Sequence, residues 1–365
     1  MYITDIKIGI IKIPLKKPFK TALRQVNMVE DVIVRVITNT GNIGYGEAAP
    51  TGVITGDTKL GIVGAIEEHI KKQLLGIDIE NIEEIMNRLD RSVVGNTSAK
   101  ACVDIAIYDL YGQLYNSPVY KLLGGYRKQI STDITISVND PEQMAIDSIE
   151  AAKMGFKTLK IKVGNDSKKD IERMLAVRKA VGNDITLRLD ANQGWRPKEA
   201  VNTIRKMEDA DIGIELIEQP VKAGDIDGLK FVTDNVSLPI MADESVFSPK
   251  DAVKIMQLRA ADYLNIKLMK CGGIHNALKI ISFAEVYGVE CMIGCMLEGK
   301  ISVNAAVHIA AAKSIVTKID LDGPLLCSVD PVIGGSIFNN SKIDLSETPG
   351  FGIKRIERLT DIKTF

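Results

Sequence analysis

Charged side chains stand at the ends of most apolar runs in this sequence, and these residues are the best candidates for chemistry. Asp190 ends TLRLD, Glu218 ends IELIE, and Asp243 ends LPIMAD. Lys160 and Lys162 lie two positions apart in TLKIKVG, so a strand would direct both side chains to one face. A lone carboxylate after a strand is commonly a helix N-cap. When five consecutive runs carry charged residues at or near their ends, helix capping is a poor explanation for all of them. We therefore expect these residues to share one site.

The elements that would position these residues are eight β-type runs with helical patterns between them. The runs are 132–137, 158–163, 186–190, 214–218, 239–243, 263–267, 290–293 and 314–321. Such repetition predicts a TIM-type barrel, which gathers the C-terminal ends of its strands on one face. Lys267 of the sixth run and the Asp320-x-Asp322 motif after the eighth would then join the site. An open doubly wound sheet is the competing fold, although it usually needs a phosphate-binding glycine turn.

The regions on either side of the barrel differ from it in pattern. Residues 1–125 combine runs rich in Ile and Val with three amphipathic helical patterns and form an N-terminal α+β unit. Residues 126–325 form the barrel that carries the site. Residues 326–365 contain Pro, Gly and short strands, and we expect this C-terminal segment to pack back on the N-terminal unit.

Composition favours a small-molecule task. The 46 Lys and Arg nearly balance 47 Asp and Glu, so no basic footprint indicates nucleic acid or a membrane surface. Five cysteines without CxxC spacing indicate neither a disulfide framework nor a zinc knuckle. Asp5 and Lys7 interrupt the N-terminus before an apolar signal core could form, and the longest apolar stretch is broken before it reaches the roughly 18 residues of a membrane anchor. We therefore expect a cytoplasmic location.

The three strand-end carboxylates predict a cation. At about 4 Å and an effective dielectric of about 20, each pair would repel by about 4 kcal/mol. A divalent ion would remove that repulsion, and an all-oxygen ligand set favours Mg²⁺, one per subunit, over Zn²⁺. Asp190, Glu218 and Asp243 are the predicted ligands.

The lysines suggest a reaction at a carbon next to a carboxylate. Strands 2 and 6 of an eight-stranded barrel lie opposite each other, so Lys162 and Lys267 would face the two sides of one α-carbon. Two opposed bases predict inversion by 1,1-proton transfer. The pKa of a base lysine would have to fall toward about 7 to 8. The metal and Lys160 would stabilise the enolate.

At these residues the sequence resembles the enolase superfamily, in particular its muconate-lactonising-enzyme subgroup. The resemblance covers nearly the whole chain and rests on ordered motifs. They are SAKACVDIAIYDLYGQLYNSPVYKLLGG, KIK, LRLDANQGW, IEQP, ADES, NIKLMKCGGI and GCMLEGKIS. The mandelate-racemase subgroup would have a His after the seventh strand, and CMIGCM has none. The resemblance implies an α/β fold, a modified TIM barrel with an α+β capping domain built from the N-terminal region and the C-terminal segment.

Within that subgroup the sequence is similar to dipeptide epimerases, especially those acting on L-Ala-D/L-Glu. The resemblance implies that Asp320 and Asp322 hold the dipeptide's α-ammonium group, and that Arg24 pairs with its side-chain carboxylate. It also places Thr135 and Cys295 against the substrate. By analogy with other barrels of the superfamily, a homo-oligomer is a possible assembly for this protein.

Four alternatives remain at this point. Other reactions of the subgroup are N-acylamino acid racemisation, o-succinylbenzoate synthesis and cycloisomerisation; all would use the same lysines and carboxylates, but none needs the DxD motif for an ammonium group. Epimerases of other dipeptides are a further possibility. A Schiff-base aldolase would use Lys162 and leave the carboxylates unexplained, and a non-catalytic barrel would leave the whole set unexplained.

Overall fold

The N-terminal unit of this computed structural model, which describes residues 1–21 and 24–362, is built on an antiparallel sheet. Its strands are β1 (Ile3–Lys20), β2 (Gln25–Thr38) and β3 (Ile43–Ala48), with β17 (Thr360–Asp361) on the outer edge of β1. Alternate Ile and Val side chains of β1 and β2 are buried. The burial of four consecutive residues of β2, from Asp31 to Val34, shows that the centre of the sheet is covered on both faces, and one of these faces carries the helices of the unit.

Helices pack on that face. They are α1 (Lys59–Gly64), a π-helical segment (Ala65–Ile70), α2 (Lys71–Leu74), α3 (Ile82–Arg91), α4 (Thr97–Leu114) and α5 (Val119–Leu123). Helix α4 is almost wholly buried and lies directly on β3. Two glycines of β3 permit this approach, because a Cβ atom at Gly46 would stand 1.8 Å from the carbonyl oxygen of Cys102.

The central sheet has eight parallel strands in sequential order. They are β5 (Ile134–Ile136), β6 (Thr158–Lys162), β7 (Thr186–Asp190), β8 (Ile214–Glu218), β9 (Ile240–Ala242), β10 (Tyr263–Ile266), β11 (Cys291–Gly294) and β12 (Val316–Asp320). The N–H of Leu321 bonds to Thr132 Oγ1 (2.8 Å) and the N–H of Asp133 to the oxygen of Ile319 (3.3 Å), which joins the last strand to the first. The predicted barrel is confirmed.

Helices follow the barrel strands in the expected alternation. They are α6 (Pro141–Lys153), α7 (Ser167–Val181), α8 (Pro197–Asp209), α9 (Ile226–Asn235), α10 (Pro249–Leu258), α11 (Leu268–Cys271), α12 (Ile274–Tyr287) and α13 (Lys300–Ala312). Within the described ranges, none of the helices has the length and apolarity needed to cross a membrane.

The C-terminal segment contacts both larger parts. It begins at the last residue of α14 (Gly323–Leu326) and contains β13 (Val332–Gly334), β14 (Ile337–Asn339), β15 (Lys342–Asp344) and β16 (Ile353–Ile356). Strand β15 pairs with β4 (Gln129–Ser131) beside the barrel, whereas β17 pairs with β1. The boundaries at 125 and 325 stay a prediction.

Buried carboxylates join the N-terminal unit to the barrel. Asp104 of α4 accepts hydrogen bonds from the N–H groups of Ile274 (2.6 Å) and His275 (3.2 Å), at the start of α12. Glu47 of β3 accepts the N–H of Ser302 (3.0 Å), in the first turn of α13. Both carboxylates therefore satisfy helix N–H groups that lack an intrahelical partner.

Candidate active site

The structure brings the predicted site residues together at the C-terminal end of the barrel. One cavity there is lined by eight of them: Arg24, Thr135, Lys160, Lys162, Lys267, Cys295, Asp320 and Asp322. The remaining three, Asp190, Glu218 and Asp243, are buried beneath the lysines, at or just after the ends of β7, β8 and β9. We call these three residues the carboxylate triad.

The triad has the geometry of a cation site. One oxygen from each carboxylate lies within 4.8 Å of the others, and all three side chains are buried. Ligand oxygens of an octahedral Mg²⁺ are at most about 4.2 Å apart, since each Mg–O distance is about 2.1 Å, so the triad oxygens would have to approach one another slightly to bind the ion. The donor set is all oxygen, as Mg²⁺ prefers. The residues therefore fit this ion.

Lysines neutralise the triad more fully than the sequence suggested. Lys160 Nζ lies 2.7 Å from Glu218 Oε2 and 3.2 Å from Asp190 Oδ2. Lys162 Nζ lies 2.6 Å from Asp190 Oδ2, and Lys267 Nζ lies 2.7 Å from Asp243 Oδ2. The repulsion argument for a cation was therefore incomplete, because the protein's own ammonium groups offset much of that repulsion. The case for Mg²⁺ rests on the donor geometry instead.

The same contacts raise the pKa values of two of the lysines when no cation is present. Burial disfavours the charged form of Lys160, yet contact with Asp320 and Glu218 raises its pKa well above the usual value. Burial also opposes charge on Lys267, and Asp243 beside it again raises the pKa. Carboxylates at hydrogen-bond distance outweigh desolvation here, since they favour the ammonium form.

Lys162 and Lys267 stand on opposite sides of the triad. Their strands, β6 and β10, are separated by β7, β8 and β9 in the sheet order, and those three strands carry or lead into the triad carboxylates. Both Nζ atoms contact the triad, and both side chains line the cavity. A carbon atom held above the triad would therefore have one amine on each side.

The two aspartates of the DxD motif have different surroundings. Asp320 Oδ2 is 2.6 Å from Lys160 Nζ. Asp322 Oδ2 accepts the N–H of Thr135 at 2.7 Å, and burial together with nearby Asp320 raises the pKa of Asp322 to about 6. Both carboxylates line the cavity, but Asp320 already has a cationic partner.

Arg24 and Cys295 complete the predicted set. Arg24 lines the cavity from the N-terminal unit, and burial lowers its pKa below the ordinary value. Cys295 follows β11, and burial raises the pKa of its thiol, which favours the neutral form. Within residues 1–21 and 24–362, neither side chain has a hydrogen bond or an ion pair with the triad.

Sequence reasoning missed Lys270, which supports the site from below. Its Nζ lies 2.5 Å from Asp243 Oδ1 and donates to the main-chain oxygen of Asn265 at 2.9 Å. The side chain is fully buried. The sequence pattern did not identify this lysine, because it lies in the short helix α11 and not in a strand. The motif NIKLMK nevertheless contains both Lys267 and Lys270. Asn265 was missed too, and its Nδ2 donates to Glu218 Oε1 at 2.8 Å.

Two family models cover most of the chain. Residues 4–124 match the mandelate racemase / muconate lactonizing enzyme N-terminal domain, and residues 144–358 match the enolase C-terminal domain-like family. The chain belongs to the enolase superfamily. Its mandelate racemase / muconate lactonizing enzyme domains agree with the barrel and the α+β unit described above.

Similar proteins within this superfamily include named epimerases. An L-Ala-D/L-Glu epimerase of Clostridium acetobutylicum is 62% identical over 98% of this chain and 99% of its own. A substrate-liganded structure of the L-Ala-D/L-Glu epimerase from Bacillus subtilis has a TM-score of 0.96 at 52% identity, covering 97% and 99% of the two chains. A dipeptide epimerase from Enterococcus faecalis, complexed with Mg and L-Leu-L-Tyr, has a TM-score of 0.94 at 45% identity, covering 97% and 100%.

Proposed function

We propose that this protein is a dipeptide epimerase that inverts the α-carbon of the C-terminal residue, with L-Ala-L-Glu and L-Ala-D-Glu as its substrate pair. The observation that carries the proposal is the placement of Lys162 and Lys267 on opposite sides of the triad. The 62% identical relative named as an L-Ala-D/L-Glu epimerase supports the choice of dipeptide.

The chain's own residues account for the proton transfers. With the substrate carboxylate above the triad, Lys162 as a neutral amine takes the α-proton from one face. Lys267 as an ammonium delivers a proton to the opposite face, and the reverse reaction exchanges these roles. The Lys160 ammonium, close to the triad, stabilises the negative charge that develops on the substrate carboxylate as the α-proton leaves.

The triad would hold one Mg²⁺ per subunit. When bound, this ion supplies positive charge that lowers the pKa of neighbouring lysines and stabilises negative charge on a substrate carboxylate. Asp190, Glu218 and Asp243 are the ligands we propose.

The proposed substrate contacts set specificity. Asp322, with Asp320, receives the α-ammonium group beside Thr135, and Cys295 packs against the substrate from the neighbouring strand. Arg24 receives the carboxylate of a glutamate side chain. A cytoplasmic location and homo-oligomerisation stay predictions.

A screen of L,L-dipeptides, with N-acylamino acids in parallel, in D₂O with Mg²⁺ tests the function. We expect one deuterium at the α-carbon of the C-terminal residue of L-Ala-L-Glu, together with the second epimer, both read by mass spectrometry and chromatography. Exchange limited to N-acylamino acids would favour the racemase alternative. A 38% identical relative named N-succinyl-L-Arg/Lys racemase is the reason for testing it. Strong exchange of hydrophobic or cationic dipeptides alone would contradict the proposed role of Arg24.

A further inference from the structure

Gln219 connects the loops that carry all three triad carboxylates. It follows Glu218 directly, and its side chain is fully buried. Its main-chain oxygen accepts the N–H of Gln193 at 2.8 Å, in the loop that follows Asp190. Its side-chain Oε1 accepts the N–H of Asp243 at 2.9 Å. One residue thus joins the ends of β7, β8 and β9.

The side-chain amide of Gln219 makes four hydrogen bonds. Besides Asp243, Oε1 accepts the N–H of Ser245 at 3.1 Å, while Nε2 donates to the oxygen of Val221 (3.0 Å) and to Ser245 Oγ (2.8 Å). Both lone pairs and both N–H groups are therefore used, which is the full capacity of a primary amide. Such a buried and satisfied group holds its neighbours in one arrangement.

The backbone of Gln219 is held in an unfavourable conformation. Its φ is +36°, in the left-handed region that non-glycine residues seldom adopt. Conformations of this kind cost about 1–3 kcal/mol and persist where the surrounding contacts impose them. Here the four hydrogen bonds of the side-chain amide and the main-chain hydrogen bond to Gln193 impose this conformation.

We propose that Gln219 is a positioning residue, which sets the spacing of the triad carboxylates through its side-chain amide. Because the amide is neutral, its removal changes the affinity for a cation through geometry and leaves the charge of the site unchanged. Partners that orient metal ligands typically contribute 10- to 100-fold to metal affinity. This inference rests on the metal site within the proposed function.

Isothermal titration of the full chain with Mg²⁺ tests the proposal. We expect Gln219→Met to raise the dissociation constant by about 10- to 100-fold. Gln219→Gly keeps the positive φ without strain but lacks the amide, and we expect it to lose at least about 10-fold as well. Ser245→Ala removes one amide partner, and a loss of about 2- to 5-fold is expected.

A matched control is Gln113→Met in α4. The amide of Gln113 also bridges two segments, donating to the oxygen of Ile43 (2.9 Å) and accepting from Asn42 (3.0 Å), far from the triad in the N-terminal unit. It should lower the unfolding temperature and leave the dissociation constant within about 2-fold of wild type, because a purely structural loss does not alter the metal site.

Each outcome decides the proposal. Wild-type affinity in Gln219→Met and Gln219→Gly would overturn it. If Gln219→Met does not fold, as judged by circular dichroism, the other two variants decide: weaker binding in both supports the role of Gln219, and unchanged binding overturns it. A wild-type chain that does not bind Mg²⁺ contradicts the proposed metal site itself, whereas normal wild-type binding with unaffected variants overturns only the positioning role.

Discussion

Lysines and carboxylates alternate within the site, so each charged residue depends on a partner. Lys162 is held by Asp190, Lys267 by Asp243, and Lys160 by Glu218 and Asp320. Asp190 illustrates the result: although burial opposes ionisation, Lys162 and Lys160 lower its pKa to about 2. Removing one member of such a buried pair leaves the other uncompensated, which is far more costly than losing a surface pair.

Separate loss of the two lysines should affect the two epimers differently. We expect Lys162→Ala to abolish α-hydrogen exchange from one epimer and Lys267→Ala from the other, with overall epimerisation reduced at least about 10²- to 10⁴-fold in both. Mass spectrometry of each purified epimer in D₂O measures this. The exposed Lys279→Ala of α12 is the control. Loss of exchange from the same epimer in both variants would contradict opposed bases.

Arg24 should determine which dipeptide is preferred. Substitution Arg24→Met removes a bidentate partner for the glutamate carboxylate, so kcat/KM for L-Ala-L-Glu should fall at least about 10²-fold. L-Ala-L-Leu, which lacks that carboxylate, should change by only a few-fold. Lys12→Met, on the exposed face of β1, serves as the control. An unchanged ratio between the two substrates would mean that this arginine does not set specificity.

At the scale of elements, strand-end charges proved the most informative pattern in the sequence. Strands β7 and β8 have the predicted bounds, because alternating apolar residues and a terminal carboxylate mark both. Gln219 and Lys270 were not recognised as site residues, since one lies in a loop with positive φ and the other in a short helix. Asp104 resembled an ordinary helix residue, since its partners at 274 and 275 are distant in sequence.

Close packing of α4 on β3 makes one glycine position critical. Gly46→Ala would place a Cβ atom 1.8 Å from the oxygen of Cys102, so the helix or the strand must shift. We expect a loss of at least about 3 kcal/mol in the free energy of unfolding, above the usual 1–3 kcal/mol of overpacking, because backbone must move. Gly64→Ala in α1 has open space and a helical φ of −61°, and it should be neutral or slightly stabilising. Urea unfolding compares the two; equal effects would contradict this explanation.

At the scale of the whole molecule, buried carboxyl groups form part of the contact between the N-terminal unit and the barrel. Burial raises the pKa of Asp104 to about 8 and that of Glu47 to about 7. These carboxyl groups have ordinary values near 4 in the unfolded chain. Between those limits the folded protein therefore binds more protons than the unfolded one, and stability must fall as pH rises.

The pH dependence of unfolding should report Asp104 directly. Between about pH 4 and its own folded pKa, about 8 for Asp104 and about 7 for Glu47, each group lowers the free energy of unfolding by up to about 1.4 kcal/mol per pH unit. Asn at this position keeps one oxygen, which can accept the N–H of Ile274, but its NH2 group cannot accept the N–H of His275. Asp104→Asn should therefore lower the free energy of unfolding at every pH and flatten the slope. Urea unfolding at pH 5.5, 6.5 and 7.5 measures it, with exposed Asp184→Asn as the control. A slope equal to wild type would exclude Asp104 as a source of the pH dependence.

The pairing of β17 with β1 has a consequence for synthesis of the chain. Gly9 lies opposite Asp361, so β1 receives its outer neighbour only after the barrel strands that lie between them in the sequence have been made. Contacts between such distant positions form slowly, because a long loop must close first. The edge of β1 is therefore exposed to other chains throughout translation. In a growing chain, this unpaired edge of β1 is therefore a place where a second chain can pair and start aggregation.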